Sequence, residues 1–247
     1  MFKAVLFDLD NTLVDFMNIK RACCDAAVSA MINAGLKMKK DEALKALYDV
    51  YWKVGIENER IFQHFLEKVN NEIDYKILAS GIYAYRKIQR GLQSTYPNVV
   101  PTLIKLREKG LKLAIISDAP KLKVWIRLTE LGLENFFDVV VASFEDTGER
   151  KPSKLPFQKA VKDLKLNPAD VLMIGDWPER DVVGAKQAGI KTCFAKYGWA
   201  FQTPPRWRAR YGGPSRRPRP PIRPPRDQTE PPRAPRPALR AGPLLRT

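Results

Sequence analysis

Between residues 99 and 195 the chain alternates between stretches of helical hydrophobic spacing and short continuous apolar runs, and this rhythm narrows its fold more than any other feature. A helix is predicted over 99–109, ending at Gly110, followed by a strand over 111–116. A helix after Pro120 stops at Gly132, and 139–142 reads as the next strand. Helix over 154–164, strand over 171–174, helix over 179–188 stopped by Gly189, and strand over 191–195 complete the pattern. Such an order builds a doubly wound α/β fold around a mostly parallel sheet. The opening run, 2–7, adds a strand; Val5, Leu6 and Phe7 show no polar alternation, as expected of a strand covered on both faces.

Residues 16–96 interrupt this scheme. Ala43, Leu44, Leu47, Tyr48, Tyr51 and Trp52, then Ile61, Phe62, Phe65, Leu66 and Val69, follow a 3.6-residue period with no convincing strand between them. The segment is therefore expected to be an inserted all-helical unit, with its aromatic residues as core. Residues 1–15 and 97–198 would then form the α/β part. His64, the only histidine, reads either as a substrate contact from the insertion or as a partly exposed helix residue. Its isolation excludes most histidine-based acid/base and metal schemes.

Charge divides the chain again. From Trp199 onward there are 12 arginines, no lysine, two acids (Asp227 and Glu230) and 13 of the 20 prolines. With few aliphatic residues, 199–247 is expected to be a disordered tail. Its abrupt change of vocabulary suggests a frame-shifted or fused end, the alternative being an arginine arm that binds nucleic acid or a membrane surface. The first 198 residues hold 31 Lys and Arg against 25 acids, which suits anionic small molecules without giving a nucleic-acid footprint. Cys23, Cys24 and Cys193 offer neither a disulfide framework nor metal-ligand spacing. The first apolar run is cut by Asp8 and Asp10, so it resembles no secretory leader, and no run approaches the roughly 20 apolar residues of a membrane span. A cytoplasmic, reducing setting is the expectation. Nothing announces an oligomeric state.

The chemistry falls at strand ends. Asp8 and Asp10 stand where the first strand opens into Asp8-Leu9-Asp10-Asn11-Thr12, and in open parallel sheets ligands bind beyond the carboxyl ends of strands. Taken alone, such a pair equally suits two acids that end a strand and cap the next element. Three further strand ends shift the balance: Ser117-Asp118 after 113–116, Lys151 beyond 139–142, and Asp176, with Asp181 five residues later, after 171–175. Two carboxylates about 4 Å apart repel by about 4 kcal/mol at an effective dielectric near 20, so converging acids need a cation or a shared proton. Oxygen donors without histidine or cysteine suit Mg²⁺, which keeps waters and accepts a phosphate oxygen. Ser117, Lys151 and backbone N–H groups would hold that phosphate. The set reads as a phosphoryl-transfer centre.

These four strand-end motifs resemble those of the haloacid dehalogenase superfamily, over residues 2–198. The resemblance implies that Asp8 is the nucleophile, that Asp10 is the general acid and base, and that Thr12 helps to orient Asp10. It also implies that Thr12, Ser117 and Lys151 form the phosphate-binding set, and that Asp8, the Asp10 carbonyl and Asp176 hold Mg²⁺ with Asp181 in support. The helical insertion is similar to the family's cap. Dehalogenases of the superfamily lack the second Asp, so Asp10 points to phosphate esters of small metabolites. Within the phosphatases the lettering most resembles an archaeal group that includes glyceraldehyde 3-phosphate phosphatase. Phosphoglycolate phosphatase and sugar phosphomutase are the close alternatives. A receiver-like phosphoacceptor is disfavoured, because no Asp directly follows the strand that ends at Ala142. A basic-tail binding protein is the reading from another class. Asp118 replaces a more usual Asn, leaving its role open. The Arg/Pro tail stands where the family adds a strand and helix, which predicts a less protected sheet edge.

Overall fold

A computed structural model describes residues 1–199. Expectations for the tail therefore lie outside the described residues, apart from Trp199.

Five strands form one parallel sheet in the order β3-β2-β1-β4-β5: β1 (Ala4–Phe7), β2 (Lys112–Ser117), β3 (Val139–Ala142), β4 (Val171–Gly175) and β5 (Lys191–Phe194). β1 is central; Phe7 is in register with Ile115 of β2 and Ile174 of β4. That register brings the ends of β1, β2 and β4 to the same level. The two faces bury alternate residues of the same strands. Ala4, Leu6, Ala114, Ile116 and Met173 pack with Phe157, Ala160 and Leu164 on one side. Val5, Phe7, Leu113 and Ile115 pack with Leu103, Val124 and Leu128 on the other. Burial on both faces explains the unbroken apolar lettering of β1.

Four helices, α1 (Phe16–Asn33), α2 (Lys40–Val54), α3 (Ile61–Asn70) and α4 (Tyr75–Leu92), occupy the inserted stretch and share a separate core that includes Val28, Met31, Leu47, Phe65 and Leu66. Asp15 caps α1 by accepting from the Asn18 N–H, and Asp74 caps α4 by accepting from Lys76 and Ile77. The two connections to the sheet run side by side: Tyr96 N–H donates to the Leu13 carbonyl, and Val14 forms an antiparallel bridge with Thr95. α5 (Val99–Glu108), α6 (Lys121–Glu130), α8 (Leu155–Leu164) and α9 (Val183–Gln187) link the strands.

Three details depart from the sequence pattern. β1 begins at Ala4 rather than Phe2. A short helix, α7 (Ser143–Thr147), follows β3 directly, and it ends at Gly148, whose φ of 75° favours glycine. The helix expected over 179–188 opens with a π-helical turn over Pro178–Val182 and runs straight into the short α9. Within it the Asp181 carboxylate turns back to accept from the Trp177 N–H at 2.9 Å. Among the described strands β5 is an edge strand, and its residues are half-buried or exposed. Among the described residues no helix is long and apolar enough to cross a membrane.

Candidate active site

Asp8 leaves β1 with its backbone N–H donated to the Ile174 carbonyl of β4 at 2.9 Å, which fixes the direction of its side chain. One carboxylate oxygen accepts from the Lys151 ammonium at 2.6 Å and the other from the Thr12 hydroxyl at 3.0 Å. Lys151 reaches in from the loop after α7 and also donates to Asp181 at 2.7 Å and to the Ile116 carbonyl at 3.1 Å. Its three N–H bonds are thereby all used. Thr12 makes a longer contact, 3.5 Å, with Asp176. Asp8, Thr12, Lys151, Asp176 and Asp181 are all buried.

One carboxylate oxygen from each of Asp8, Asp176 and Asp181 lies within 4.8 Å of the other two. The second oxygen of Asp176 is buried and has no hydrogen-bond partner among the described residues. Gly175 makes this convergence possible, since a Cβ at that position would stand 2.5 Å from the Asp181 carboxylate. Burial pushes the Asp8 carboxyl well above the usual range; Lys151 opposes that, while Asp181 and Asp176 add to it. Burial, with repulsion from Asp181, pushes Asp176 up to about 7. For the Lys151 ammonium, burial works towards loss of the proton, but Asp181 and Asp8 outweigh it and hold the group charged. A single lysine does not balance three buried acids. An all-oxygen set with an orphaned carboxylate atom fits a hard divalent cation.

Ser117 ends β2 beside this cluster. Its hydroxyl oxygen accepts from the Ala119 N–H at 3.2 Å, which leaves its own O–H free to donate. Asp118, unassigned from sequence, accepts from the Lys151 N–H at 3.1 Å and from Arg180 at 3.3 Å. It ties the Lys151 loop to the turn that carries Asp181.

Asp10 stands apart from the acidic triplet. Its carboxylate accepts from Arg127 of α6 at 2.8 Å, so any part in holding a metal falls to its backbone carbonyl. Thr12, expected to help orient Asp10, engages Asp8 instead, while Asp10 is paired with Arg127. Arg127, buried and paired also with Glu57 of the α2–α3 loop, is the residue that the sequence reading missed. A signal was present, since Arg127 interrupts the buried stripe of Val124 and Leu128 on an amphipathic helix. His64 lies away from these groups on α3, partly exposed and 3.2 Å from Glu67. A cavity of about 460 Å³ lined by Phe7, Leu13, Tyr96, Val99, Leu103 and Tyr197 is almost wholly apolar and holds none of the acids.

Residues 5–195 match the family described as haloacid dehalogenase-like hydrolase. Glyceraldehyde 3-phosphate phosphatase of Methanothermobacter thermautotrophicus is 34% identical over 190 residues, which cover 77% of this chain and 84% of the relative. Phosphoglycolate phosphatase of Neisseria gonorrhoeae is 27% identical over 205 residues, 81% of this chain and 83% of the relative. Among solved structures, a HAD phosphatase from Thermococcus onnurineus superposes with a TM-score of 0.56 at 27% identity, covering 78% of this chain and 86% of that one. The chain belongs to the haloacid dehalogenase-like hydrolases. It is an enzyme of their phosphatase class.

Proposed function

We propose that this enzyme is a Mg²⁺-dependent phosphatase of small phosphorylated metabolites, working through an aspartyl-phosphate on Asp8, and that its substrate is glyceraldehyde 3-phosphate. The observation that carries the reading is the setting of Asp8, a carboxylate held between Lys151 and Thr12 within 4.8 Å of Asp176 and Asp181. An oxygen of Asp8 attacks phosphorus as the bond to the ester oxygen breaks. Asp10 gives its proton to the departing oxygen, then accepts one from the water that hydrolyses the phosphoenzyme. Ser117 donates its free O–H to a phosphate oxygen. Lys151 reaches the phosphate by exchanging one of its three present partners. Asp8, Asp176 and the Asp10 carbonyl would hold Mg²⁺, with Asp181 in support, and the ion would supply the positive charge that the buried acids lack.

We read 16–96 as a cap that shields the phosphoenzyme from water, and 1–15 with 97–198 as the catalytic part. The 34% identity to an archaeal glyceraldehyde 3-phosphate phosphatase supports the substrate assignment. The 27% identity to a phosphoglycolate phosphatase keeps that ester as the second candidate. Three free thiols suit a cytoplasmic setting. A panel of phosphorylated metabolites assayed with Mg²⁺ and with EDTA tests the proposal. Turnover of glyceraldehyde 3-phosphate that disappears on chelation is expected; a rate insensitive to EDTA removes the metal from it, and preference for phosphoglycolate replaces the substrate.

A further inference from the structure

Three cations hold the α2–α3 loop, one from α1 and two from α6. Lys20 of α1 donates to the Ile56 carbonyl at 3.0 Å while stacking on Tyr51 at 4.6 Å and Tyr85 at 5.3 Å. Lys123 donates to the Glu57 carbonyl at 3.0 Å and lies 3.5 Å from its carboxylate and 3.6 Å from that of Glu59. Arg127, one turn further along α6, gives one nitrogen to Glu57 and another to Asp10, with its plane 4.5 Å from the Phe16 ring. Glu57 and Asp10 therefore share one buried guanidinium. With one Asp10 oxygen on Arg127, the other is buried and has no partner among the described residues. That second oxygen is the atom left to carry a proton.

We propose that Arg127 is a positioning residue, which aims the Asp10 carboxylate at the leaving group only while Glu57 seats the 55–60 loop against α6. The inference rests on Asp10 being the proton donor of the proposed reaction. Its physical basis is the planar fork of arginine, which bonds two carboxylates in fixed relative directions. Withdrawal of Glu57 removes one anchor of that fork and lets the guanidinium turn, and Asp10 turns with it. Closure of the loop and readiness of the acid then become one event.

The test uses the full chain with Mg²⁺ and two esters that differ in their need for a proton. The alkoxide of glyceraldehyde 3-phosphate requires protonation to leave, whereas p-nitrophenyl phosphate releases a stable phenolate. The ratio kcat/KM covers steps through departure of the leaving group, so it isolates the donor. Arg127→Lys and Glu57→Gln are each expected to lower kcat/KM for glyceraldehyde 3-phosphate at least roughly tenfold more than for p-nitrophenyl phosphate. Equal losses on both esters, or no loss, would overturn the proposal. Hydrogen exchange gives a readout that needs no turnover: both variants should speed exchange across 55–60, and unchanged exchange would equally overturn it. Wild-type enzyme inactive on both esters would instead refute the glyceraldehyde 3-phosphate reading of the site, which separates the two failures.

Discussion

Asp8 sits among more negative charge than its own lysine balances, and single substitutions around it should have distinct effects. Asp8→Asn keeps the size of the side chain and the Thr12 contact but removes the attacking charge. Turnover is expected to fall to background while the far-ultraviolet circular dichroism stays that of the wild type; residual hydrolysis above background would take Asp8 out of the nucleophile's role. Gly175→Ala places a methyl group 2.5 Å from the Asp181 carboxylate, which is itself pinned by Lys151 and Trp177. The strand end must shift, so we expect a loss of about 1–3 kcal/mol in denaturant unfolding together with reduced activity. Asp8, Asp10, Ser117 and Asp176 were legible in the sequence because they stand at or just past the end of an apolar run, and Lys151 and Asp181, further from their strands, by their order along the chain. Arg127 was not, because its partners are 117 and 70 residues away and only the folded chain brings them together.

The strands were legible for the same local reason: a run buried on both faces is apolar throughout, and its ends are marked by the polar residues that do the chemistry. β3 matches its expected limits, and β4 extends one residue further to Gly175. The helix expected after Asp176 is present, but its first turn is π-helical, which the hydrophobic period does not reveal. In that turn the Asp181 carboxylate accepts both from Lys151 and from the Trp177 N–H. The inserted helices rest on a core of their own, in which Phe65 is fully buried. Phe65→Ala should cost about 3–5 kcal/mol by the transfer and cavity terms. If α1–α4 act as a cap, the loss of substrate turnover on warming should precede unfolding of the sheet, as followed by hydrogen exchange of β1 against α3; simultaneous loss would show one cooperative unit.

For the molecule as a whole, the acidic cluster links stability to pH and to divalent cations. The Asp176 carboxyl has a folded value of about 7, above its ordinary one, so the folded state binds more protons than the unfolded state between the two. Without metal, the contribution of this site to stability is greatest below the unfolded value and falls as pH rises towards and through about 7. A cation reverses that loss by binding the ionised form. The rise in Tm on adding Mg²⁺ in place of EDTA should therefore be larger near about pH 8 than near about pH 5; a shift independent of pH would mean that the ion binds elsewhere. The end of the described chain also belongs to this design. The Tyr197 hydroxyl donates to the Thr12 carbonyl at 2.7 Å, and Gly198 comes so near the Asn11 carbonyl that a Cβ would stand 1.6 Å from its oxygen. The loop that carries Asp8 and Asp10 is thus buttressed by residues nearly two hundred positions downstream. In a series of progressively shortened genes, phosphatase function should drop sharply once the stop codon crosses that buttress, a few codons before it reaches the last strand of the sheet.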